Sequence, residues 1–224
     1  MSKIKTIRKD NLLHKVIFID GQPGCGKTLF STIISSLDKI EILNYSAEIE
    51  NLCALNYLKK IDQDASMSMI KIQMDLSLYE LMMSRRLNFR PNDLSSVFKN
   101  LNYKKYINRL FFKGDSLVPN IIKKEKPILH YCTHNLLAFS EPIFKSFPRK
   151  IFFIEIVRHP LYKILQQTTN HSNLMKPQGT SRQFHIYLKY NNRQFPYWSN
   201  GYQKEFLNCN SSERSILEMH LITN

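Results

Sequence analysis

Glycine is scarce in this chain. There are six in 224 residues, and three of them, Gly21, Gly24 and Gly26, fall within one short stretch. Acidic residues are also few: 18 Asp and Glu stand against 32 Lys and Arg, for a formal net charge of +14 at pH 7. That imbalance favours anionic partners such as nucleotides, nucleic acid, sulfated or phosphorylated sugars, or an acidic membrane surface, without choosing among them. The four cysteines, Cys25, Cys53, Cys132 and Cys209, contain no CxxC pair and no Cys/His ligand cluster. A disulfide framework and a zinc module are therefore not indicated, and reduced thiols are expected. No apolar run approaches the roughly 20 residues of a membrane span. The basic opening MSKIKTIRKDNLLHK has no apolar core of signal-peptide length. A soluble, cytoplasmic protein is the expectation.

What is present is enough apolar residue, 43 %, to build a core. The length suits one compact domain over residues 1–224 with room for an insertion. The run KVIFID at 15–20 reads as a strand buried in a parallel sheet. Residues 29–37 read as a helix, 40–44 as a second strand and 47–60 as a second helix. From about 62 to 126 the pattern changes to helical pieces without a convincing strand. This stretch is expected to be a helical insertion or lid. Its methionine face, Met67, Met74, Met82 and Met83, suits core packing. Asp93 is placed to cap a helix, and further helical pieces fall at 103–112 and 116–124. Strand signals return at 128–132 (ILHYC) and 151–157 (IFFIEIV), each followed by a helical stretch. Ser211 or Ser212 is placed to cap a last helix over 213–222. Strands alternating with helices predict an α/β fold of three layers, with a central, mostly parallel sheet and helices on both faces.

Between the first strand and the first helix lies Gly21-Gln22-Pro23-Gly24-Cys25-Gly26-Lys27-Thr28, which fits G-x-x-x-x-G-K-[ST], the Walker A or P-loop pattern. Glycines let successive backbone N–H groups converge on one anion, and the following helix turns its positive end to the same point. Lys27 adds a full charge and Thr28 a hydroxyl. A bare strand-to-helix turn is the alternative. Cys25, at a helix start, reads as a small residue rather than a reactive thiol.

A loop of this kind that hydrolyses ATP or GTP normally has a carboxylate at the tip of a neighbouring strand to orient Mg²⁺. Here the two later strands end in Thr133-His134 and in Arg158-His159-Pro160, and Glu155 lies inside its strand. Within the same region His130 reads as packed, His159 as shaping the turn before Pro160, and Asp20 as shaping the turn into the loop. Glu48 and Glu50 read as the exposed side of a helix.

Three segments together resemble the sulfotransferases that use 3′-phosphoadenosine 5′-phosphosulfate: the loop 21–28 after its strand, ILHYCTHNLL at 128–137, and FFIEIVRHPLYKILQQ at 152–167. The resemblance implies that the loop holds the 5′-phosphosulfate end. It implies that His134 is the base and that Arg158 holds the 3′-phosphate. The serine the family usually carries eight positions after that arginine is Gln166 here, whose amide can still donate. No Gly/Lys-rich C-terminal segment is evident. The implied reaction needs no metal, and the implied acceptor is a small molecule or carbohydrate carrying a hydroxyl or amine, to which the basic surface adds a leaning toward anions. Two other readings stay open: a Mg²⁺-dependent kinase or triphosphatase binding ATP, with Glu155 as the acid that orients the metal, and a non-catalytic binder of nucleotide or nucleic acid. The basic, aromatic stretch at 103–126 carries no nucleic-acid motif, so nucleic acid is the less expected partner.

Overall fold

In a computed structural model, which describes residues 4–114, 116–176 and 184–223, KVIFID forms strand β1 (Lys15–Asp20). Residues 1–3 of the basic opening and Asp115 of the expected insertion lie outside the described residues. β1 is the middle of a three-stranded parallel sheet of order β2-β1-β3, with β2 at Ile128–Cys132 and β3 at Ile151–Glu155. Alternate residues of β1 enter separate cores, as the two-residue period of a strand requires. Val16 and Phe18 join the larger cluster, and Ile17 and Ile19 join a smaller one on the opposite face. The fold is thus α/β in layers around a parallel sheet. Because β2 and β3 flank β1 on opposite sides, the chain reverses its direction of winding at the C-terminal end of β1, where open α/β sheets bind ligands. Among the described residues, no helix is long and apolar enough to cross a membrane.

The expected strand at 40–44 forms only isolated bridges to β2, at Ile40–Ile128 and Asn44–Tyr131. The reason is a mismatch of spacing. Glu41 N donates to Ile128 O (3.0 Å) and Asn44 N to His130 O (2.9 Å), so three residues on one chain span two on the other. The extra residue breaks the ladder as a bulge does.

Helix α1 (Lys27–Ile34) is shorter than its apolar pattern suggests, and α2 (Ala47–Tyr57) starts on a Ser46 cap whose hydroxyl accepts from Ile49 N (3.4 Å). The stretch 62–126 is helical, with α3 at Gln63–Leu81, α4 at Tyr103–Arg109 and α5 at Leu117–Glu125. Met74, Met82 and Met83 are buried in the larger core, whereas Met67 is half-buried. Asp93 does not cap a helix. Asn88 Nδ2 donates to its carboxylate (3.0 Å), and Ser96 caps a short 3₁₀ turn at Val97–Lys99 instead. After β2 come α6 (Glu141–Ser146) and, beyond β3, α7 (Pro160–Leu174). An antiparallel hairpin follows that the sequence reading did not anticipate: β4 (Tyr187–Tyr190) and β5 (Arg193–Pro196). Its turn residues Asn191 and Asn192 both have positive φ (46° and 61°), as a two-residue hairpin turn demands. The chain continues through α8 (Gln203–Asn208) to α9 (Ser211–Thr223). The cap of α9 is Asn210, which accepts from Ser212 N and Glu213 N at 3.0 Å each, rather than either serine.

The helical stretch is pinned to the sheet by a buried ion cluster. Glu41 accepts from Arg109 Nη1 (2.7 Å) and Nη2 (3.0 Å) and from Lys105 Nζ (2.7 Å), and Tyr106 Oη accepts from Ile42 N (2.7 Å). The two guanidinium bonds hold the Glu41 carboxyl below its usual range against the opposing pull of burial. Removing one partner strands the other in the interior, at a typical cost of about 3–5 kcal/mol. Glu41→Ala should lose about that much in urea denaturation, and the double variant Glu41→Ala/Arg109→Met should recover much of the loss.

Candidate functional site: a glycine loop beside an aromatic cavity

The loop between β1 and α1 folds as its glycines allow. Gly21 (φ +136°) has no room for a side chain, since a Cβ would lie 2.5 Å from the carbonyl oxygen of Ile156. Gly24 (φ +85°) is covered by the side chain of Gln166, and Gly26 (φ +102°) is the N-cap of α1.

Four consecutive loop carbonyls each accept from a cationic side chain. Lys27 Nζ donates to Gly21 O (2.5 Å) and Gln22 O (3.0 Å). Lys163 Nζ, from α7, donates to Pro23 O, and Arg158 Nη1 donates to Gly24 O (3.1 Å) and to Gln166 Oε1 (3.1 Å). Among the described residues, none of the three cations has a carboxylate within ion-pair distance. Burial pushes the Lys163 ammonium down to about 8, with repulsion from Lys27 and Arg158 acting in the same direction. The buried Gln22 Nε2 has no hydrogen-bond partner. Three positive charges, an idle donor and a helix start are gathered around one loop, a grouping of the kind that could hold an anion.

Two carboxylates stand behind the loop. Asp20 is fully buried: its Oδ1 accepts from Thr133 Oγ1 (2.9 Å), and its Oδ2 from Leu136 N (2.8 Å) and Leu137 N (2.9 Å). It therefore shapes the turn after β2 as well as ending β1. Glu155 pairs with Asp20 across the sheet. Partial burial and then the Asp20 charge push the Glu155 carboxyl up to about 7, against the pull of Lys27.

His134 lies in the turn that Asp20 holds. Its backbone N donates to Glu50 Oε1 (2.9 Å), and its Nδ1 lies 3.3 Å from the same oxygen. Glu50 is thus no solvated helix residue, as the sequence reading had it, but the partner that orients the imidazole. The His134 ring stacks on Tyr45, with centroids 6.2 Å apart, and Tyr45 Oη lies 3.1 Å from Thr28 Oγ1. The order Thr28, Tyr45, His134, Glu50 connects the phosphate loop to the histidine. His134, Glu50, Tyr45 and Pro23 all line one cavity of about 970 Å³, whose other walls come from α7, α9 and the β4–β5 hairpin. Tyr197 and Trp198 contribute aromatic surface to it.

The residues 21–28, Arg158 and Gln166 thus meet at one loop, and His134 stands beside it through Tyr45. His130 is buried with Ser35 Oγ 3.1 Å from its Nδ1, as packing predicts, and His159 accepts from Leu161 N (3.3 Å) at the start of α7. Sequence reasoning missed Lys163, although its spacing of three from Gln166 puts the two on one face of α7. It also missed Tyr45 and Glu50, which approach His134 from far along the chain and leave no local signal.

Comparison of the chain with protein-family models, curated proteins and solved structures finds no match.

The Lys163 environment sets a pH dependence for anion binding. Below about pH 8 the free protein carries this proton and its charge adds to affinity; above that the charge is lost. Calorimetric titration of ADP from pH 6.5 to 9.5 should show affinity falling through about pH 8. Lys163→Met should bind roughly tenfold more weakly at pH 7 and show no such fall, about 1.4 kcal/mol being the scale of one added charged hydrogen bond.

Proposed function

We propose that the protein is a cytoplasmic sulfotransferase that moves a sulfuryl group from 3′-phosphoadenosine 5′-phosphosulfate to a hydroxyl or amine acceptor. The observation that carries this reading is the meeting of Arg158 and Gln166 at Gly24 of the phosphate loop, with His134 turned to the adjoining cavity. An arginine joined to the residue eight positions after it, at the edge of the loop, is the arrangement the sequence resemblance implies for a 3′-phosphate, and its fork suits a terminal phosphate. The glycine cradle, the unpaired cations and the idle Gln22 amide fit such a ligand. When bound, the nucleotide supplies an activated sulfuryl group whose bridging S–O bond breaks as the acceptor's bond to sulfur forms.

The chain's own residues have the following parts. The loop amides, Lys27 and Thr28 hold the 5′ end, and Lys27 neutralises the charge that develops on the departing phosphate. Arg158 and Gln166 hold the 3′-phosphate, the guanidinium fork suiting a terminal phosphate. His134 takes the proton of the acceptor hydroxyl through Nε2, because Nδ1 faces Glu50. Glu50 stabilises the imidazolium that results. The cavity beside His134 takes the acceptor.

Glu155 favours a second reading, a Mg²⁺-dependent kinase or triphosphatase on ATP. It is a carboxylate close to Lys27 at the end of a strand beside the loop, and its oxygens are less committed than those of Asp20. Titration of adenosine 3′,5′-bisphosphate, ADP and ATP, each with and without Mg²⁺, separates the two. The sulfotransferase reading expects metal-independent preference for the bisphosphate, cut at least tenfold by Arg158→Ala. It also expects His134→Ala to lower transfer of radiolabelled sulfuryl by about 10²-fold or more with nucleotide binding intact, the usual range for a general base. Preference for ATP with Mg²⁺, indifferent to Arg158→Ala, overturns it.

A further inference from the structure

The cavity that begins at His134 has a distinct far end. It extends along α7 from Gln167 to Met175, about 12 Å at the helical rise. Ser211 Oγ meets Met175 Sδ (3.4 Å), which brings the start of α9 to that end. Two arginines line the cavity from this side, Arg193 of β5 and Arg214 of α9.

Their guanidiniums are fixed by neighbouring carbonyls of α8. Arg193 Nη2 donates to Leu207 O, and Arg214 Nε donates to Phe206 O (3.0 Å). Arg214 also lies over the Phe206 ring, 4.8 Å from its centroid. These anchors use one N–H group of each guanidinium, and among the described residues no other hydrogen-bond partner engages the remaining donors. Among the described residues, neither arginine has a carboxylate within ion-pair distance. Glu218, one turn beyond Arg214, is committed to Asn135 Nδ2 (3.2 Å), Gln167 Nε2 (2.9 Å) and His171 Nε2 (2.9 Å). Glu205 and Glu213 lie near Cys209, as Arg214 does, but neither is within ion-pair distance of Arg193 or Arg214. Like charges held near each other without a counter-ion repel, and burial and Arg193 both lower the Arg214 pKa. Such an arrangement is stabilised by an anion that bridges the two forks. Between this pair and His134 the lining includes the aromatic rings of Tyr197 and Trp198 and the mutually bonded polar groups of Asn135, Gln167, His171 and Glu218. Trp198 packs edge-on against Phe206 with centroids 5.3 Å apart.

We propose that Arg193 and Arg214 form an anion-binding subsite that seats a carboxylate or sulfate carried by a ring-bearing acceptor, leaving the acceptor's hydroxyl end toward His134. The assignment rests on the cavity being the acceptor site, but its test needs no nucleotide and no turnover. Trp198 is the chain's one tryptophan and lines the cavity, so its fluorescence reports occupancy directly. The probes are 4-nitrophenyl glucuronide and its neutral counterpart 4-nitrophenyl glucoside, whose nitroaryl group quenches tryptophan.

The glucuronide should bind at least tenfold more tightly than the glucoside, and added salt should narrow the gap. Arg193→Gln/Arg214→Gln should abolish the preference while leaving glucoside binding in place. Arg193→Lys/Arg214→Lys should keep part of it. Equal binding of the two probes, absence of glucuronide binding, or a preference that survives in a folded double glutamine variant overturns the proposal. Should the nucleotide titrations turn out for ATP with Mg²⁺, the sulfotransferase reading falls while the probe preference still reports on the arginine pair.

Discussion

The carboxylate of Asp20 is the constraint on which the site depends. It is wholly buried at the end of the central strand, and a buried charge is tolerable only with its lone pairs taken. The Thr133 hydroxyl and the amides of Leu136 and Leu137 take them. The result is a rigid bridge between the strand that enters the phosphate loop and the turn that carries His134. Loop and histidine come from different parts of the chain, yet one side chain with no exposure to solvent ties them together. The cross-strand approach of Glu155 adds a second carboxyl to the same spot, and partial burial beside Asp20 keeps part of it protonated near neutrality.

The loop illustrates how a fold holds clustered positive charge that no carboxylate matches. Lys27, Lys163 and Arg158 turn to loop carbonyls, so that the loop's own dipoles serve as the counter-charge. Neutral carbonyls are weaker partners for a cation than phosphate oxygens. The cations are therefore held in place by bonds that an incoming anion can replace at a gain. The same logic applies at the far end of the cavity, where Arg193 and Arg214 rest on the carbonyls of Leu207 and Phe206.

Much of this architecture is legible in the sequence because it is local. KVIFID, the glycines and Lys27-Thr28 identify strand, loop and helix start by pattern alone, and β2, β3 and the helical stretch follow from apolar period. Arg158 and Gln166, eight residues apart, converge because one precedes α7 and the other lies two turns into it. What was not legible depends on contacts between distant residues. Glu50 looks like any polar position of an exposed helix until the turn after β2 brings His134 to it. The segment 40–44 has strand composition, but its one-residue mismatch against β2 arises only on pairing. The hairpin was marked by Asn191-Asn192 between Tyr-rich runs, a turn signal easily passed over where glycine is so rare. Asn210 was overlooked as a cap because two serines stand directly after it.

The two faces of the sheet are unequal. One carries the large core beneath α3, while the cluster on the other has Ile17, Ile19 and Ile40 buried among the described residues, with Phe30, Ile34, Ile128, Ile154 and Ile156 partly buried against it, under an eight-residue α1 whose Leu29 and Ile33 remain 63 % and 58 % exposed. Resistance to local opening follows buried apolar contact. The α1 side consequently opens at less cost than the face beneath α3, and α1 begins at Lys27 of the glycine loop. A ligand fastened to the loop amides would close that helix at its first turn, so that occupancy of the loop would also tighten the thin face, measurable as slower amide exchange along α1 and at Ile17 and Ile19.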